Sequence, residues 1–110
     1  MRADPAGARF EPASDGVARL QGEVTLRSVG PLLAAGRDAI LAGRTEAIDL
    51  AGVTGADSAG LALLIEWLSV ARQADRPLSY RNVPAQLEQL ARLSDVQGLI
   101  LPAGPAVSTG

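Results

Sequence analysis

The segment that most constrains this chain is residues 45–68, TEAIDLAGVTGADSAGLALLIEWL. A short apolar stretch, 45–50, reads as a buried strand with Ile48 and Leu50 on one face. A glycine-bearing loop, 51–57, follows it, and Asp57-Ser58-Ala59-Gly60 then opens a strongly apolar helix over 58–74. A strand feeding a helix through a turn is half of a βαβ unit, so the segment points to an α/β domain. Asp57 and Ser58 stand where a helix leaves its first N–H groups unpaired and its dipole is positive. Such a place holds an anion, caps the helix, or docks against a partner.

The remainder of the chain extends the pattern. Residues 8–13 and 17–21 read as two strands around the hairpin signal Ser14-Asp15-Gly16, with Phe10, Val17 and Leu20 as core anchors. Gly22 interrupts that pattern, and 24–26 reads as a further short extended piece. Val29, Leu32, Leu33, Gly36 and Ile40 recur at helical spacing, with Gly30-Pro31 as its start and Gly43 as its stop. Residues 78–81 read as a strand. Asn82-Val83-Pro84 reads as the start of a third helix carrying Leu87, Leu90 and Leu93, and 99–101 as a last short strand. The expectation is one α/β domain over 8–101, a mixed β-sheet with helices mainly on one face. A disordered lead over 1–7 and a flexible Pro/Gly-rich tail over 102–110 flank it.

Composition narrows the chemistry. The 110 residues include no His, no Cys and no Lys. Disulfides, thiolate nucleophiles, His–Cys zinc sites and imidazole bases are therefore excluded together. The acidic residues are scattered, so no oxygen-ligand metal site is expected, and no cofactor is implied. With aromatics at 3% and a formal charge of −2, the chain has neither stacking platforms nor a basic footprint for nucleic acid. The longest apolar run, 59–65, is closed by Glu66 and is too short to cross a bilayer; 1–10 lacks the apolar core of a secretory leader. A cytoplasmic protein is expected.

The helix from Ser58 shows two apolar stripes. Leu61, Leu64, Ile65, Leu68 and Ala71 form one, and Leu63, Trp67, Val70 and Ala74 form another on an adjacent face. The apolar arc is about 220° wide at about 100° per residue, more than packing on one sheet requires. The second stripe is covered either by a neighbouring helix or by a partner docking on Trp67, a residue type enriched at interface hot spots. For Ser58 three roles stand open: a plain cap with Asp57, a phosphoacceptor, or a contact to another protein. A serine nucleophile is disfavoured, because the Gly-x-Ser-x-Gly pattern is missing and no imidazole exists. Asp49, at the predicted strand end, is placed to order the Asp57-Ser58 turn or to stand solvated. Gly52 and Gly55 match no phosphate-cradling fingerprint.

Asp49-Leu50-Ala51-Gly52-Val53, the loop, Asp57-Ser58-Ala59-Gly60-Leu61 and the apolar helix resemble the signature of STAS domains. The likeness covers about 8–101 and implies a non-catalytic interaction module. Two branches bear on it. In anti-sigma factor antagonists the serine after the motif's aspartate is phosphorylated by a partner anti-sigma factor kinase, and Ser58 matches that position. In the MlaB-like branch the domain is the small cytoplasmic subunit of the Mla phospholipid ABC transporter and binds its ATPase subunit, MlaF. The stretches 60–67, 82–87 and 90–96 look more like that branch. The resemblance thus implies a protein peripheral to the inner membrane through a transporter complex, without direct membrane insertion. Asp57, Ser58, Ala59, Leu63, Trp67 and Val70 are the expected partner-binding residues. Ser58 is the candidate phosphorylation site.

Overall fold

In the computed structural model, which describes residues 7–12 and 15–101, the chain runs β1 (Arg9–Glu11), β2 (Val17–Val24), α1 (Val29–Leu41), β3 (Ala47–Ala56), α2 (Ser58–Gln73), β4 (Ser79–Arg81), α3 (Ala85–Leu93) and α4 (Gln97–Ile100). The expected disorder of 1–6, residues 13–14 of the hairpin and the 102–110 tail lie outside the described residues. The four strands form one sheet in sequential order, β1 antiparallel to β2 and the others parallel. The sheet is therefore mixed, as the hairpin followed by crossovers requires. Successive right-handed crossovers that step in one direction lay their helices on one face, and α1 and α2 accordingly pack side by side. α3 and α4 close against α2.

The core lies between that helical layer and the inward row of the sheet. Ala18, Leu20, Ile48, Leu50 and Tyr80 point into it from the strands and Leu61, Leu64 and Ala71 from α2, all at 4% exposure or less. Tyr80 ties β4 to α2 by donating its hydroxyl to the Leu64 carbonyl at 2.6 Å. Burial raises the Tyr80 phenol well above its ordinary value. The opposite face of the sheet carries Arg9, Glu11, Arg19, Gln21, Asp49 and Arg81, and among the described residues no helix lies over it.

Four local expectations are corrected. β2 runs unbroken through Gly22, whose φ of +90° and contact with the Gly7 backbone suit a residue without a side chain. β3 continues to Ala56 where a loop was expected, because register shifts against β2 absorb extra residues on the β3 side. The first helix begins after Ser28, not at Gly30. Residues 97–100 form the short helix α4 instead of supplying a strand at 99–101. Gly43 does stop α1, at a φ of +76°.

Candidate partner-docking site

Asp57 organises the junction between β3 and α2. Its extended backbone puts the side chain across the helix start, where Oδ1 accepts from the N–H groups of Ala59 (2.9 Å) and Gly60 (3.1 Å). Its other oxygen, Oδ2, accepts from the Leu26 N–H at 3.2 Å in the connection between β2 and α1. One carboxylate thus caps α2 and pins a second loop. A Cβ at position 60 would collide with the Val24 carbonyl oxygen, so glycine there lets α2 start directly on the end of β2.

Ser58 is the first residue of α2 and is exposed. Its hydroxyl makes no hydrogen bond among the described residues, because Asp57 already serves as the cap. Ala59 beside it is half-buried. The chemistry available here is that of a free hydroxyl at the positive end of a sixteen-residue helix. It accepts hydrogen bonds and offers itself to an external enzyme.

The neighbouring turn was not singled out in the sequence. Every backbone N–H of 25–29 has an acceptor: Ser28 Oγ for Thr25, Asp57 for Leu26, Thr25 Oγ1 for Arg27, and the Thr25 carbonyl for both Ser28 and Val29. At the crest of this bonded turn Leu26 is 76% exposed. Thr25-x-x-Ser28 was the available signal, since hydroxyl side chains bond nearby backbone groups in such turns. On the other side, Gln86 Oε1 accepts from the Ala56 N–H at 3.0 Å and holds the start of α3 to the end of β3.

The second stripe of α2 is not an outward patch. Trp67 is fully buried and Leu63 is 4% exposed. The Trp67 indole donates to the Leu33 carbonyl at 3.2 Å and meets the Phe10 ring at 5.6 Å between centroids. Its ring occupies the space that any side chain at Gly36 of α1 would need. The wide apolar arc is thus covered by α1 and β1 of the same domain. Val70 is half-buried on that flank. Leu63 and Trp67 are therefore core residues and not the exposed docking residues expected, whereas Asp57 and Ser58 are exposed.

Asp49 does not reach the Asp57-Ser58 turn. Its Oδ1 accepts from the Asn82 side-chain amide at 3.0 Å and from the Ala51 N–H at 2.9 Å. It thereby satisfies an N–H beside the first register shift of β3 and steadies Asn82, which sits at a φ of +55° before α3. The Asn82 bond, then the Ala51 bond, hold the Asp49 carboxyl below its ordinary value, with Arg19 and Arg81 adding weaker attraction. Among the described residues no cluster of acidic side chains could hold a metal ion, and no helix is long and apolar enough to cross a membrane.

A family model described as the Mlab STAS domain matches residues 8–102. Among solved structures, the anti-sigma factor antagonist SpoIIAA in its unphosphorylated form is similar, with a TM-score of 0.66 at 16% identity over 89% of each chain. The phosphorylated form of SpoIIAA, described as a Bacillus cell fate determinant, gives 0.63 at 16% identity, covering 89% of this chain and 92% of that one. A Thermotoga maritima protein gives 0.64 at 15% identity over 84% and 82%. No curated protein sequence matches significantly. At these identities the solved structures speak for the fold alone.

Proposed function

The chain belongs to the Mlab-type STAS domain family, and on that premise we propose that it is a non-catalytic subunit that binds the ATPase of an Mla-type phospholipid ABC transporter. The observation that carries this reading is the edge formed by Ser58, Ala59 and the Leu26 turn. An exposed, unbonded hydroxyl follows Asp57 in the chain, and the same Asp57 carboxylate that caps α2 also bonds the N–H of the exposed Leu26. An edge whose backbone donors are already satisfied loses little freedom on docking, which favours affinity. The partner covers Leu26 and accepts or donates a hydrogen bond at Ser58, and the ATPase is stabilised or regulated by the contact. The domain itself has no nucleotide loop and binds no ATP. It reaches the membrane only through the transporter, from the cytoplasmic side.

Co-expression with the transporter ATPase tests this. The expected result is a complex that co-purifies and has higher ATP turnover or solubility than the ATPase alone. Purified ATPase that neither binds the chain nor responds to it would overturn the reading.

A second reading is supported by the unbonded Ser58 hydroxyl and by the likeness to an antagonist solved in both phosphorylation states. There the chain is an anti-sigma factor antagonist, and an anti-sigma factor kinase modifies Ser58. A dianionic phosphate at Ser58 would face the helix dipole favourably and the Asp57 carboxylate unfavourably. Incubation with the kinase and ATP distinguishes the two. A mass increase that maps to Ser58 and is lost in Ser58→Ala supports the antagonist; an unmodified chain that still binds the ATPase supports the transporter subunit.

A further inference from the structure

The sheet face that no helix among the described residues covers carries a row of charges whose order is informative. Strand register pairs Glu11 with Arg19, Arg19 with Asp49, and Asp49 with Arg81. These residues share a face because registered partners on neighbouring strands point the same way. Read across β1, β2, β3 and β4, the row is negative, positive, negative, positive. Arg19 and Arg81 make no hydrogen bond or ion pair among the described residues, although each stands beside Asp49 in register. Glu11 is bonded by Arg9 (3.1 Å) and Gln21 (3.4 Å), which leaves acceptor capacity on a carboxylate with about four lone-pair sites.

With Arg9 paired to Glu11, the face interleaves three arginines with two carboxylates, an alternation that suits no uniformly charged partner. A phosphate backbone or an anionic membrane would meet the Glu11 and Asp49 carboxylates set among the arginines. The row does match its own reverse. Rotation by half a turn about an axis parallel to the strands, between β2 and β3, sets Glu11 opposite Arg81 of a second copy and Arg19 opposite Asp49. Each contact then occurs twice, as a two-fold interface requires. Strand directions stay aligned, which is the common geometry for stacked sheets.

We propose that this open sheet face binds a second copy of the chain, with the two charge rows running in opposite directions. The face is about 15 Å across at roughly 4.8 Å per strand spacing, which is small. The dimer therefore falls in the weak, salt-sensitive class and not in the permanent one. It leaves the Ser58 edge free, because that edge belongs to the helical layer.

Sedimentation equilibrium of the full chain over a concentration series tests the proposal. At about 10 mM salt, where screening reaches only beyond about 30 Å, the wild type should show a reversible monomer–dimer equilibrium that weakens at about 0.5 M. Glu11→Arg and Arg81→Glu are the variants of choice, since Asp49 also holds Asn82 and Ala51 in place. Each alone sets like charges opposite one another twice and should raise the dimer Kd by at least about tenfold. Mixed in equal amounts, the two should form a heterodimer, and the double variant should dimerise again. Circular dichroism melts establish that each variant is folded. A wild type that stays monomeric up to about 1 mM at low salt, where even weak specific contacts register, would overturn the proposal. So would single variants that dimerise like the wild type, or a mixture that gains nothing over its components.

Discussion

The flank and the tip of α2 are made of similarly suggestive residues, and the structure uses them oppositely. The flank holds Trp67, the residue type most associated with hot spots, yet Trp67 is sealed between Gly36, Phe10 and the Leu33 carbonyl. The tip holds small residues, Ser58 and Ala59, yet it is the open part, framed by Leu26 and pinned by Asp57. Residue type is a poor guide to which side of a helix is left exposed. What decides is whether the domain's own elements reach that side, and α1 reaches the flank because successive crossovers place it beside α2.

The sharpest way to break this contrast is Trp67→Ala. Emptying a fully buried indole site should cost about 3–5 kcal/mol, measured by denaturant or thermal unfolding of the isolated domain. Leu64→Ala on the other stripe should cost about 2–5 kcal/mol. If Trp67→Ala melts like the wild type but loses a partner, the flank is an interface after all. Next in size is Asp57→Ala, which removes both the cap and the link to Leu26. A loss of about 1–2 kcal/mol is expected, and hydrogen exchange at the Leu26, Ala59 and Gly60 amides should rise together. Faster exchange at Ala59 and Gly60 alone would mean that the link to the Leu26 turn does not hold in solution.

Ser58→Asp should change stability by no more than about 0.5 kcal/mol, since the side chain is exposed and unbonded. Binding to the ATPase should nonetheless weaken, because a charge enters the contact beside Asp57. Equal affinity for both proteins would move the docking surface away from the tip. The smallest effect concerns Asp49. Its folded-state pKa lies below the ordinary 3.8, so its contribution is present above that value and fades as pH falls through the lower folded value. Asp49→Asn should therefore flatten the acid side of the stability profile below about pH 4 and leave the neutral side nearly parallel to wild type. An unchanged acid limb would show that the Asn82 and Ala51 bonds do not outlast solvent competition.

Much of the architecture was legible because it rests on local rules. Helical spacing located α1 and α2, Ser14-Asp15-Gly16 marked the reversal between β1 and β2, and Asp57-Ser58 marked the start of α2. The errors occurred where pairing overrides composition. Ala51, Gly52, Val53, Thr54 and Gly55 look like a loop, but β2 alongside offers a hydrogen-bonding edge and bulges absorb the mismatch in length. Leu99 has the look of a strand residue, but residues 97–100 pack as a short helix against α3 and α2. The held turn at Leu26 was invisible in the sequence because the carboxylate that bonds it lies thirty-one residues away.

The sequence by itself determined the α/β alternation, the mixed sheet, the absence of thiol and imidazole chemistry, and the position of Ser58 at a helix start. Each follows from spacing or residue type within a few residues of chain. Only the tertiary structure decided that Trp67 is core, that Asp49 serves Asn82 and not Asp57, and that Glu11, Arg19, Asp49 and Arg81 stand in one row. Those facts depend on which element lies beside which. Strand register and helix crossover settle them through contacts between residues far apart in the chain, and no local pattern encodes such distances.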